Sequence, residues 1–352
     1  MTYKIAVLPG DGIGPEVIAE GVKVLQAVGQ RIPDARFELR EFSVGAGEYL
    51  RSGNPMPEDT FSSIQEFDAI LLGAMGLPDV RWPNGVEMAP QLDLRERLDL
   101  YAGLRPIYLF HESHTPLKGR AAGEIDFVLV RESTEGLFSA RHGTYSTDDP
   151  EAHDTMRITR RTSERLFRAA FRLAEGRRKR VTLVDKANVL PSMAYFRGIF
   201  DEIGREFPGV STEKVYVDAA ALYLVERPQS FDVLVTENMF GDILSDLGAA
   251  LVGGMGMAPS ADIGDRHAVF QPSHGSAPSI AGQGIANPVA TILSVAMMLE
   301  WFDSPATRQG AGLIRSAVGG TLASPANRTR ELGGMLGTRA MGDAIAGLIG
   351  QS

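Results

Sequence analysis

Short β-branched and apolar runs alternate along the chain with helix-length amphipathic segments, and this alternation restricts the fold more than any other feature. Lys4 to Leu8, Ala69 to Leu72, Phe127 to Val130, Val181 to Val184, Lys214 to Val217 and Asp232 to Val235 have the length and composition of strands. Val17 to Val28, Thr162 to Glu175 and Met193 to Glu206 carry apolar side chains at three- and four-residue spacing, the mark of helices with one buried face. Strands separated by helices cross over to pair in parallel, so the pattern predicts an α/β fold with a largely parallel sheet. A chain of 352 residues is long enough for two domains or one large α/β unit. The Gly and Pro cluster from Gly253 to Pro259 marks a crossing between domains near residue 253, and the tail beyond Ser304 keeps helical periodicity.

Charge narrows the function. With 44 acidic residues against 35 basic ones the net charge is -9, the wrong sign for a protein whose main task is holding a nucleic-acid backbone. The basic run Arg177 to Arg180 follows a helical stretch and reads as a helix C-terminus. There is no cysteine, which excludes disulfides, zinc-thiolate sites and thiol nucleophiles. The first residues run into a strand and a glycine turn rather than a signal sequence, and the longest apolar stretch, Val289 to Leu299, is too short to span a bilayer. A cytoplasmic protein that binds no nucleic acid and no membrane is expected.

Several polar residues fall where chemistry needs them. A helix starting at Gly241 would hold Asp242 and Asp246 about 40° apart around its axis. Two carboxylates on adjacent turns repel unless a cation lies between them, and oxygen-only donors favour Mg²⁺ or Mn²⁺. The alternative is a helix N-terminal acid beside a solvated one. Arg95, Arg105 and Arg131 recur on a helix or at strand ends; converging, they would fork the carboxylates of an acidic substrate. Lys186 follows the strand Val181 to Val184, at the end where ligands of parallel sheets sit, and near a divalent cation it would suit the removal of a hydroxyl proton. Asp218, at the end of Val215 to Val217, is a third carboxylate for the metal. The opening Pro9 to Glu16 lacks the third glycine of a Rossmann turn, and serves either as a ligand-contacting loop or as a tight turn into a helix with Pro15 in its first turn.

These segments together resemble the β-decarboxylating dehydrogenases, the family of isocitrate and 3-isopropylmalate dehydrogenases, with the isopropylmalate branch nearest. The likeness covers nearly the whole chain. It rests on the Leu8 to Glu16 opening, Asp185-Lys186-Ala187-Asn188-Val189, Asn238 through Asp246, and His274-Gly275-Ser276-Ala277-Pro278 followed by Ile285-Ala286-Asn287-Pro288. It implies an isopropylmalate dehydrogenase-like α/β fold, not a Rossmann fold. The large cofactor domain would comprise residues 1–98 plus 254–352, and the smaller domain residues 99–253. It further implies a homodimer, or a higher oligomer, with active sites shared between subunits. Carried over residue by residue, Arg95, Arg105 and Arg131 would hold a hydroxy dicarboxylic acid, with Met88, Gln91 and Leu92 around its side chain. Asp218, Asp242 and Asp246 would hold Mg²⁺ or Mn²⁺, and Lys186 and Asp218 would reach over from the partner subunit. His274, Gly275, Ser276, Ala277, Pro278, Ser279 and Asn287 would hold NAD.

Three departures bear on the reaction. Where the family carries a proton-donating tyrosine this chain has Phe138, so water, Tyr145 or His142 substitutes, or decarboxylation is slow or absent. Ser279 can hydrogen-bond a ribose hydroxyl and brings no charge to a 2′-phosphate, which favours NAD. Gln91 would leave an amide beside an alkyl substituent, at a cost of about 1 to 3 kcal/mol if dry, which moves the expectation from 3-isopropylmalate toward D-malate or tartrate. A metabolite-binding protein without turnover is the non-enzymatic alternative, against which the retained Lys186 argues.

Overall fold

The computed structural model describes residues 2–351 except Asn84 and Tyr145. Its ten strands are β1 (Thr2–Leu8), β2 (Arg36–Glu41), β3 (Ala69–Leu72), β4 (Ala102–Tyr108), β5 (Asp126–Glu132), β6 (Arg180–Asp185), β7 (Ser211–Tyr216), β8 (Val233–Thr236), β9 (Pro259–Ile263) and β10 (Ala268–Pro272). They form one sheet in the order β2-β1-β3-β10-β9-β4-β5-β8-β6-β7. Both flanks pair in parallel, while β10, β9, β4 and β5 pair antiparallel through the middle. The α/β expectation therefore holds, with an antiparallel centre that the alternation alone does not predict.

The strand sequences account for their places. β3, β8 and most of β6 are continuous apolar runs with every residue buried, as strands covered on both faces require. β2, reading Arg-Phe-Glu-Leu-Arg-Glu, stands at one edge, where charged side chains discourage pairing with another chain. β4 contains Pro106, which lies past the last residue paired with β9 and so removes no ladder bond there.

Buried side chains gather in separate clusters along this sheet. Two draw on buried residues up to Leu100 and after Val252, around Leu25, Phe270 and Met298 and around Leu8, Phe61 and Leu94. Two others draw on the middle of the chain, around Phe167, Phe196 and Phe200 and around Phe127, Leu224 and Phe231. This grouping is the reason to propose a large domain of 1–98 plus 254–352 and a smaller one of 99–253, joined by an unbroken sheet. No helix of the described residues is long and apolar enough to cross a membrane; in Val289–Trp301, residues 289–299 are all buried in the protein instead.

The helix that carries the paired aspartates begins earlier than its sequence suggests. It spans Asn238–Ala250, capped by the Glu237 side chain accepting from the Met239 and Phe240 amides. Asp242 consequently lies beyond the first turn, which removes the macrodipole explanation for it. Gly241 sets how close this helix comes to β5. A Cβ there would stand 2.6 Å from Cγ of Arg131.

Candidate active site

Helix Pro90–Arg97, the middle of β4, the ends of β5 and β10, the turn Leu137–Ala140 and helix Asn238–Ala250 enclose a cavity of about 250 Å³. Arg95, Arg105 and Arg131 all line it, together with Gln91, Leu92, Asp242, His274 and Gly275. The sequence expectation that the three arginines converge is met. Each guanidinium is buried and held by a different partner. Arg95 Nε donates to Asp262 Oδ2 at 3.0 Å, and Arg105 Nη1 donates to Ser273 Oγ while its Nε is buried with no partner among the described residues. Arg131 donates Nε and Nη2 to Asn238 Oδ1 at 3.0 and 2.6 Å and Nη1 to Asp242.

Gathering like charges in a wall has a cost. Burial first, then repulsion from Arg95, pushes Arg131 down to about 10. Burial also lowers Arg105, against the pull of Asp262. Such a wall, with donors left over, is built for an anion.

Asp246 stands one turn beyond Asp242 on the more open side, and partial burial and the neighbouring Asp242 carboxylate push its pKa up. That crowding of negative charge is what a divalent cation relieves, so the two residues fit an oxygen-coordinated metal. They are not joined by the third expected acid. Asp218 lies in the first turn of helix Val217–Glu226 rather than at a strand end, and its Oδ1 stands 2.5 Å from Lys186 Nζ. Among the described residues of one chain no group of three or more His, Asp or Glu is placed to hold a metal. Neither Lys186 nor Asp218 lines the cavity.

The loop after β10 is braced by the opening glycine turn. Ile13 N donates to Ser276 O at 2.8 Å, and a Cβ on Gly12 would fall 2.0 Å from that oxygen. Asp11 accepts from the amides of Ala46, Gly47 and Gly76, and Gly14 N donates to Asp11 O. With those groups engaged, Pro9 to Glu16 reads as a structural joint rather than a phosphate cradle. His274 is largely enclosed, its Nδ1 2.9 Å from Gly275 O, and burial lowers its pKa. Gly275 and Ser279 are exposed, Ala277 adopts φ 39° and leads with Pro278 into a short turn, and Ser276 Oγ donates to Gly76 O. Asn287 Nδ2 donates to Glu331 Oε2 at 3.1 Å, bringing the C-terminal segment against this loop.

Two expectations about the side-chain pocket divide. Met88 is buried elsewhere, because the helix starts only at Pro90 and Met88 does not share the face of Gln91, Leu92 and Arg95; Met75 takes the apolar place in the cavity. Gln91 does line the cavity, and its Oε1 is buried without a partner among the described residues. Phe138 packs its ring 5.1 Å from the Arg131 guanidinium carbon. His142 lies outside the cavity, 2.7 Å from Arg141, and Tyr145 lies outside the described residues. Met75, Asp262, Gln271, Ser273 and Glu331 were not identifiable from local sequence; none sits in a spacing that marks a site.

A family model described as isocitrate/isopropylmalate dehydrogenase matches residues 4–345. A protein named 3-isopropylmalate dehydrogenase from Moorella thermoacetica is 46% identical over 354 residues, covering 98% of this chain and 97% of that one. Its namesake from Bacillus subtilis is 43% identical, covering 94% and 92%. Among solved structures, isocitrate dehydrogenase from Methylococcus capsulatus superposes with a TM-score of 0.89 at 37% identity, covering 99% of this chain and 100% of that chain. A β-decarboxylating dehydrogenase from Thermococcus kodakarensis gives 0.83 at 38% identity, covering 99% and 96%.

Proposed function

The chain belongs to the isocitrate/isopropylmalate dehydrogenase family, and on that premise we propose that it is a cytoplasmic, NAD- and divalent-metal-dependent enzyme that oxidatively decarboxylates a 3-substituted malate. The convergence of Arg95, Arg105 and Arg131 with Asp242 on one cavity carries this reading. The arginines bind and orient the substrate carboxylates, and Leu92 and Met75 exclude water from the substituent at C3. The partner subunit's Lys186 accepts the hydroxyl proton as hydride leaves C2 for NAD. A divalent metal, when bound by Asp242, Asp246 and the partner subunit's Asp218, supplies positive charge to the oxygens that become negative. The loop His274 to Ser279 and Asn287 hold the dinucleotide.

Exposed apolar residues beside each half of the machinery support sharing between subunits. Val189 is 64% exposed just after Lys186, Leu222 is 60% exposed one turn from Asp218, and Ile243 is 60% exposed between the metal aspartates. A homodimer that buries these patches against each other joins the two halves.

The test is NADH formation with 3-isopropylmalate, D-malate, tartrate, isocitrate and homoisocitrate in the presence of Mg²⁺ or Mn²⁺. Turnover of at least one dicarboxylate is expected, and none with any acid overturns the assignment. Chelation should abolish that turnover, and Mg²⁺ or Mn²⁺ should restore it; activity that survives dialysis against EDTA would remove Asp242 and Asp246 from the metal role.

Phe138 has no proton to deliver and His142 lies outside the cavity, and water is the proposed source of the C3 proton after CO₂ departs. CO₂ released per NADH formed should be about one, and Phe138→Tyr should raise kcat by up to about a hundredfold where protonation limits the rate. A wild-type ratio far below one, raised by the same substitution, would instead mean that the chemistry stops at the keto acid.

A further inference from the structure

Asp262, on β9, is a carboxylate at the arginine wall that none of these roles uses. It is 1% exposed. Its Oδ2 accepts from Arg95 Nε at 3.0 Å and from Gln271 Nε2 at 2.6 Å, and its Oδ1 accepts from Ser133 Oγ at 3.2 Å. Burial works to raise its pKa, but Arg95, Arg105 and Arg131 outweigh that and hold it down, so the group is ionised. A fixed negative charge thus stands inside the cluster that is to bind anions.

We propose that Asp262 is a positioning residue that sets the charge of the substrate cavity, matching it to a dicarboxylate and against a tricarboxylate. Three guanidiniums less one buried carboxylate leave two positive charges for the ligand. The charges of Asp242, Asp246 and the partner subunit's Asp218 are offset by the divalent cation assigned to them together with the partner subunit's Lys186, which pairs with that Asp218. Two substrate carboxylates then balance the wall, and a third enters an excess of negative charge beside Asp262. Asp262 also occupies Arg95 Nε, leaving the Nη groups of that cavity-lining residue for a ligand. The inference rests on the hydroxy-acid reading above and names its substrate class.

The test is Asp262→Asn, assayed for kcat/KM on isocitrate against D-malate and 3-isopropylmalate, with Kd values for the same acids measured by calorimetry in Mg²⁺. The isocitrate to malate ratio should rise by about tenfold or more, mainly through KM and Kd. Adding Gln271→Glu to that variant puts a carboxylate on the other side of the same 2.6 Å hydrogen bond and should return the ratio toward the wild-type value. Gln271→Glu alone, which adds a charge without removing one, should weaken the binding of isocitrate more than that of malate, and it keeps the test alive if Asp262→Asn does not fold. A purely structural Asp262 would lower stability and kcat while leaving the ratio unchanged, and that result, or unaltered selectivity in Gln271→Glu, overturns the proposal. A wild type that forms no NADH from any acid would fail the functional assignment alone, because the ratio of Kd values is read without turnover.

Discussion

Replacing Lys186 by methionine is expected to lower kcat by about two to four orders of magnitude while the Kd of the dicarboxylate hardly moves. The side chain leaves the end of β6, where Asp185 is fully buried and accepts two bonds from Arg197 at 2.7 Å each, so the backbone that aims Lys186 is firmly held. Methionine keeps much of the apolar stem. The lost contact joins the half-buried Lys186 to an exposed Asp218 and contributes little to stability, so a large fall in kcat would report chemistry rather than unfolding. Mixing separates a shared site from a self-contained one. If Lys186 serves the partner's arginines, a heterodimer of Lys186→Met and Arg131→Met chains has one site with both lesions and one with neither. Equal mixing of these two inactive proteins should then recover about a quarter of wild-type activity. Recovery of none would mean that both residues act within one chain.

The parts legible in sequence are those whose signal is local. β3, β8 and most of β6 announce themselves because strands covered on both faces are largely apolar. β2, β4, β9 and β10 do not. β2 alternates charges as an edge strand must, β4 carries Gly103 and Pro106, and proline opens β9 and closes β10. The antiparallel middle of the sheet depends on these weak strands, which is why alternation alone misses it. At the site, residue type announces the arginines, since three guanidiniums need an anion wherever they meet. Asp262 carries no such mark: within Pro259 to Ile263 it resembles any strand acid, and only the register Gly103↔Asp262 brings it beside β4 and within reach of Arg95. Asp218 and Lys186 are recognisable in sequence, yet within one chain neither lines the cavity; in the proposed homodimer that distance would be closed by assembly rather than by folding.

Arg131→Met is expected to lower kcat/KM by about a hundred- to a thousandfold, the loss of a buried charge that binds substrate, and yet to leave stability within about 2 kcal/mol of wild type. Arg131 is among the largest fully buried side chains, so truncation to alanine would add a cavity; methionine fills most of the space. The substitution leaves Asn238 Oδ1 without its two donors, at a cost of about 1 to 3 kcal/mol. Asp242 loses a contact too, but its side chain is 48% exposed and water replaces much of it. Against these losses stands the guanidinium's own position. A base pushed down to about 10 by burial and by Arg95 carries on the order of 3 kcal/mol against its charged form. That penalty is present in the folded state throughout neutral pH, and fades only as pH rises through about 10 and the group loses its proton. The opposing contributions nearly cancel, so urea unfolding at neutral pH should give closely similar midpoints for the two proteins. The dicarboxylate should stabilise the wild type and do so far less in the variant, because the bound anion is what offsets the gathered charge. A loss of 4 kcal/mol or more in the unliganded variant would show instead that Arg131 holds the fold together, and that the arginine wall is not under strain before its substrate arrives.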